Sequence, residues 1–174
     1  DAPSLWWPGE PFPQRLLEHI RNGHTCIAHN AEFEHSVFTR LLPDYAPHDY
    51  QWLCTAVQAA ACGLPRSLAG AARAARITQQ KSARGKFLID NLCVPPYVEK
   101  PEWYTELGEY CLQDVRTERA LYHVMRKPTD EERRDFLVNL RVNARGLPID
   151  VDMARGGARM AADIATLSER RAAL

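Results

Sequence analysis

The chain has 174 residues, 45% of them apolar and 25% charged, an ordinary globular composition with enough apolar material for one core and part of a neighbouring domain. Its 22 basic and 22 acidic residues cancel, so no global field draws the chain to a polyanion and any nucleic-acid contact must be local. With no run of about 18 apolar residues and no basic-then-apolar leader, the sequence points to a cytoplasmic protein that makes no membrane contact.

Pro13 to Asn22 reads as a first helix, with Leu16, Leu17 and Ile20 on one face and Gly23 as its stop. Thr25 to Ala28 reads as a short buried strand running into His29-Asn30, where Asn30 is the expected N-cap of a helix that reaches about Leu42 and is stopped by Pro43. Strand, polar corner, helix is the repeating unit of an α/β fold. Tyr50 to Cys54 reads as a second strand. A helix of small residues follows through Ala61 and ends at Gly63-Leu64-Pro65, and Arg66 to Arg76, nearly half alanine, forms another whose thin side chains permit close packing.

A polar and basic loop, Thr78 to Lys86, precedes Phe87-Leu88-Ile89 and a proline-rich connection through Pro101. The longest expected helix runs from about Glu102 to Arg126 and is broken by Lys127-Pro128. Thr129 with Glu132 makes a capping box for a helix reaching about Asn143, and after the turn Arg145-Gly146-Leu147-Pro148, Asp150 caps a last helix rich in alanine and arginine.

Five cysteines, Cys26, Cys54, Cys62, Cys93 and Cys111, are odd in number, widely spaced and free of any Cys-x-x-Cys, the pattern of buried thiols rather than of a disulfide scaffold. His24 and Cys26 offer one ligand pair, and no second pair with zinc spacing follows. Basic residues gather at Lys81, Arg84 and Lys86, at Arg66, Arg73 and Arg76, and at Arg133 and Arg134; each group reads as a solvated face or as a phosphate contact.

Two stretches carry the chemistry: His29-Asn30-Ala31-Glu32-Phe33-Glu34 and Tyr110-Cys111-Leu112-Gln113-Asp114. At about 100° per residue, Phe33, Val37 and Leu41 share an arc of about 80°, Glu34 falls beside Leu41 and Phe38, and Glu32 falls on the far side, toward water. A carboxylate among apolar residues is costly unless a metal ion or an arginine pairs with it. On the long helix Leu107, Cys111, Leu121, Tyr122 and Met125 form the expected buried stripe, with Tyr110 and Asp114 together along its edge. Glu118, in the centre of that stripe, is either ion-paired or a third carboxylate of the same site.

In order and context these stretches resemble two of the three motifs of the 3′–5′ proofreading exonuclease domain of bacteriophage-type family A DNA polymerases, members of the ribonuclease H-like superfamily. Leu64-Pro65-Arg66-Ser67-Leu68, Gly85-Lys86-Phe87-Leu88-Ile89 and Tyr110-Cys111-x-x-Asp114-Val115 are similar to that group as well. Asn143 to Asp150 resembles the entry to its polymerase region.

The resemblance implies a truncated ribonuclease H-like α/β fold, mostly helical with a small residual parallel sheet. It implies an exonuclease-like domain over residues 1–128 and the start of a polymerase region over 129–174. Asp114 matches a metal-binding aspartate and Tyr110 the tyrosine that orients the attacking water. Glu34 stands where most relatives have Asp, and Asn30 and Phe33 match residues that line the pocket of the 3′-terminal nucleotide. The implied partners are the 3′ end of DNA and the rest of a polymerase chain, and the implied cofactor is a pair of Mg2+ or Mn2+ ions about 4 Å apart.

The first motif of that group, an Asp-x-Glu on a strand beside Thr25 to Ala28, does not occur among the 28 residues before His29. Either the chain begins downstream of that strand or the strand has been lost. At about 4 Å and an effective dielectric near 20, each missing carboxylate forfeits on the order of 4 kcal/mol of attraction to the metal, about three decades of affinity. The expectation is therefore weak metal binding, little or no nuclease activity in this chain, and association through the strand's open edge. A non-catalytic nucleic-acid-binding or structural module, or a helical interaction domain, are the competing readings.

Overall fold

The computed structural model describes residues 2–78, 84–98 and 100–172, with side chains through residue 166; Lys81 of the basic loop lies outside the described residues. The first element, α1 (Gln14–Arg21), is followed by β1 (Cys26–Ala28) and α2 (Glu32–Leu41). Two single 3-10 turns, Pro43–Tyr45 and Asp49–Gln51, lead into β2 (Trp52–Cys54). The helices α3 (Thr55–Ala61), α4 (Leu68–Ala74), α5 (Gly85–Leu92), α6 (Pro101–Val124), α7 (Asp130–Arg145) and α8 (Val151–Ala172) complete the order. Phe87-Leu88-Ile89 is thus part of a helix, α5.

The two strands are parallel, with Cys26 opposite Trp52, Ile27 opposite Leu53 and Ala28 opposite Cys54. Parallel strands need a crossover, and α2 supplies it. Gln51 fastens the return: its buried amide donates to the carbonyls of Ile20 (3.0 Å) and His24 (2.8 Å) while its oxygen accepts from the His48 amide (2.9 Å). Every polar atom of that side chain is then engaged, as its burial requires.

One core cluster joins Ala28, Trp52, Cys54 and Ala56 to Phe136 and Leu140 of α7, with Phe38 of α2 packed against it. A second joins Ala59, Leu68 and Ala71 to Leu121 and Met125. The alanines at 56, 59, 71 and 72 are the reason α3 and α4 lie close to their neighbours, since a thin side chain lets backbones approach. Gln58 Nε2 donates to the Arg126 carbonyl at 2.8 Å, tying α3 to the end of α6.

Local signals set the helix ends. Gly23 turns the chain after α1 at φ +73°, and Gly146 does so after α7 at φ +70°. The Thr129 and Glu132 capping box forms in both directions, at 3.2 Å and 2.8 Å, and Asp150 Oδ1 accepts from the Met153 amide at 2.9 Å to cap α8.

The chain divides into two units, Asp1–Arg141 and Val142–Leu174. That division falls inside α7, whose Phe136 and Leu140 belong to the core of the first unit. In the second unit, Met153, Met160 and Ile164 of α8 are exposed at a spacing that lines up one helical face. Among the described residues no helix is long and apolar enough to cross a membrane.

Candidate functional site

β1 and β2 end level with one another, so the residues that follow them, His29 and Thr55, emerge side by side at the carboxyl end of the parallel pair. That end is where open α/β sheets place their ligands. The His29 ring joins three segments: Nδ1 lies 2.9 Å from Thr55 Oγ1 and Nε2 lies 2.9 Å from the Arg66 carbonyl.

Asn30 is not the N-cap of α2. It takes the left-handed conformation at φ +67°, which asparagine tolerates better than most residues. The helix instead starts from Ala31 without a side-chain cap, and the Asn30 carbonyl accepts from the Phe33 amide at 2.9 Å. A helix N-cap sits in the extended region, and a left-handed corner removes the side chain from that role.

The buried side of α2 also differs from the expected one. Phe33 is 65% and Leu41 74% exposed, while Ala31 is fully buried and Phe38 meets Trp52 edge-on at 5.8 Å between ring centroids. The helix turns toward the strands the face that carries Ala31, Glu34 and Phe38, because Trp52 offers the larger apolar partner there. Glu32 does not simply face water: it is half-buried, and its Oε1 accepts from Asn139 Nδ2 of α7 at 2.7 Å.

Glu34 is half-buried, and burial raises its pKa from the ordinary carboxylate value, partly offset by a backbone hydrogen bond. Its Oε2 is buried with no hydrogen-bond partner among the described residues. An orphaned acceptor of this kind is what a cation or a proton would satisfy.

On α6 the buried line runs through Tyr110, Thr117 and Leu121, with Asp114 half-buried between the first two. Tyr110 belongs to that line rather than to its edge, and Cys111 is exposed where the expected stripe had buried it. The line follows the side on which α3, α4 and α5 pack against α6.

Glu118 is the residue that links the two motifs. Its pKa is pushed up to about 7, first by burial, with the charges of Glu34 and Asp114 adding to the rise, while hydrogen bonds from Thr55 and the His29 amide oppose it. Carboxylates from α2 and α6 therefore act on one another here. Glu34, Glu118, Phe38, Val115 and Tyr122 also line a cavity of about 530 Å³ along β1.

The three carboxylates do not make a metal centre as they stand. Among the described residues no group of three or more His, Cys, Asp or Glu side chains is arranged to hold a metal ion. The basic groups are partly committed as well: Lys86 pairs with Asp90 at 2.6 Å, Arg84 pairs with Glu106, and Arg133 donates to the Tyr50 carbonyl at 3.3 Å. Thr55 is the site residue that the sequence did not single out; its only signal was its place directly after an apolar strand.

A predominantly helical α/β unit with carboxylates gathered at the carboxyl ends of a parallel pair is the class that fold and site define. The chain is similar to the DNA polymerase of Bacillus phage SP02, with 32% identity over 168 aligned residues. The match takes in 84% of this chain and 25% of that polymerase, so the chain spans about a quarter of its relative's length. No family model and no solved structure matches the chain. The similarity supports a DNA polymerase-related domain.

Proposed function

We propose that this chain is the 3′–5′ exonuclease-related region of a phage-type DNA polymerase, built on a ribonuclease H-like fold, with residues 129–174 beginning the polymerase region. In the whole polymerase its role would be the removal of mismatched 3′-terminal nucleotides from DNA in the host cytoplasm. The observation that carries the reading is the placement of Glu34 and Asp114, from the two sequence motifs, close enough for both charges to act on Glu118 at the strand ends.

In this reading Asp114 and Glu34 are the residues that would hold Mg2+ or Mn2+, which when bound would polarise the phosphodiester and its attacking water. Two carboxylates are too few for firm binding. Tyr110 would orient the water from its fixed seat on α6. Asn30 and Phe33, at the β1–α2 corner, would meet the terminal nucleotide, and the exposure of Phe33 leaves its ring free to stack on a base.

A second reading, a nucleic-acid-binding or structural module without catalysis, draws on the same incompleteness of the carboxylate set. The two separate in one assay. Incubating the chain with 3′-labelled single-stranded DNA and Mg2+ or Mn2+ should release mononucleotides slowly, and Asp114→Ala should abolish the release. DNA binding that weakens with salt, with no metal-dependent digestion of any kind, would favour the module instead.

A further inference from the structure

Two cation-ring pairs meet on one surface where α5 packs on α6. The Arg84 guanidinium lies 5.0 Å from the centroid of the Phe87 ring, and the Lys100 ammonium lies 4.3 Å from that of Trp103. The two rings meet edge-on at 5.1 Å between centroids, so the four side chains form one array in the order cation, ring, ring, cation. Such pairs occur about once in 70–80 residues of ordinary protein, and two that share a ring contact within residues 84–103 are more than chance spacing supplies.

Packing α5 on α6 does not call for this array. Gly85, Leu88 and Leu92 are the buried residues of α5, at the spacing of one helical face, and Gly85 lies against Tyr110. Phe87 falls outside that face and is 43% exposed. Arg84 is held by Glu106 in an ion pair that water reaches from both sides. An exposed pair of this kind contributes little, so a phosphate can take the place of the acid on the guanidinium.

We propose that Arg84, Phe87, Trp103 and Lys100 form a binding surface for single-stranded DNA, in which bases stack on the rings and phosphates meet the flanking cations. Every base has a face that stacks on an aromatic ring, and each nucleotide brings one negative charge, so rings interleaved with cations match an unpaired strand. A duplex hides its base faces, and an apolar protein partner offers nothing to the cations. Because the chain carries no net charge, its attraction for a polyanion comes from local groups such as these. The surface is built on the helix that carries Asp114, and Gly85, next to Arg84, touches Tyr110. The choice of DNA over RNA rests on the reading of the chain as a polymerase region; the surface itself does not depend on nuclease activity.

Fluorescence anisotropy of a labelled oligothymidylate with the 174-residue chain tests the proposal, in EDTA so that no metal-dependent digestion occurs. The chain should bind the strand more tightly than a blunt duplex of the same length. Phe87→Leu, which keeps an apolar side chain against Trp103, should weaken binding of the strand about tenfold. Lys100→Met keeps the stem of the side chain and should reduce the slope of log Kd against log salt by about 0.7, the share of one phosphate contact on a single strand. Lys100 is exposed, so this variant decides even if Phe87→Leu lowers the unfolding midpoint. Failure to bind oligothymidylate at low salt overturns the proposal. So does an unchanged affinity in a folded Phe87→Leu, an unchanged salt slope in Lys100→Met, or a duplex bound as tightly as the strand. If binding and its loss follow as described while magnesium brings no digestion, the nuclease reading fails and the binding surface stands.

Discussion

Gly85 lies flat against the ring of Tyr110: a Cβ placed at Gly85 would fall 2.6 Å from Cδ2 and closer still to Cζ and Cε2. The first residue of α5 thus has no side chain for the reason that α6 presents an aromatic ring there. That ring is 7% exposed, and its position one turn before Asp114 makes the packing of α5 part of the site's construction.

Gly85→Ala is expected to destabilise the chain by about 1–3 kcal/mol through overpacking, because the ring atoms it meets are rigid and buried. Urea denaturation measures the loss. Near-ultraviolet circular dichroism should change in the tyrosine region at the same time, since the ring must shift to admit the methyl group.

The pH dependence of stability has a definite sign. Glu118 has a folded pKa of about 7 against an ordinary value of 4.5, so the folded chain holds more protons than the unfolded one between those limits. Stability from this group is fully present below about pH 4.5 and is lost as pH rises through about 7. Glu132 works in the opposite sense: its contacts with Arg126 and the Thr129 amide lower its pKa to about 2, so its contribution is present above about pH 4.5 and lost only in strong acid. Denaturation midpoints measured from pH 5 to pH 8 should therefore fall, and Glu118→Gln should flatten that decline.

The capping box at the start of α7 is open to a direct test. Thr129→Ala removes the acceptor for the Glu132 amide and should cost about 1 kcal/mol. Because α7 carries Phe136 and Leu140 into the core, the loss should appear in global unfolding rather than as local fraying. Leu140→Ala, at 2% exposure, should cost about 2–5 kcal/mol in the same measurement.

For activity, Asp114→Ala should abolish any metal-dependent digestion of DNA measured in the complete polymerase, whereas Glu32→Ala should leave it unchanged. Glu32 is occupied by Asn139, on the side of α2 away from Glu118. Equal losses from both substitutions would refute the assignment of Glu34 as the α2 carboxylate of the site.

Much of the frame is legible residue by residue. Gly23 and Gly146 stop helices, Thr129 and Asp150 start them, and the apolar runs ending at Ala28 and Cys54 become strands, because each of these signals acts over a few residues of chain. Periodicity chose the buried faces less well. On α2 it favoured Phe33, Val37 and Leu41, and on α6 it favoured Cys111, whereas the buried sides carry Phe38 and Tyr110. A helical wheel gives the density of apolar residues around a helix, and the face that is buried depends on which partner lies nearby.

The sequence by itself determined the two motifs, their order, and the polar corner after the first strand, since these are written in adjacent residues. Only the tertiary structure decided that Glu118 belongs with them. The strand register sets His29 beside Thr55 across 26 residues, and the seat of α6 brings Glu118 to Thr55 across another 63. No local propensity encodes separations of that length. They are fixed by the packing of α6 on α3, α4 and α5, and it is that packing which turns scattered carboxylates into one electrostatically coupled group.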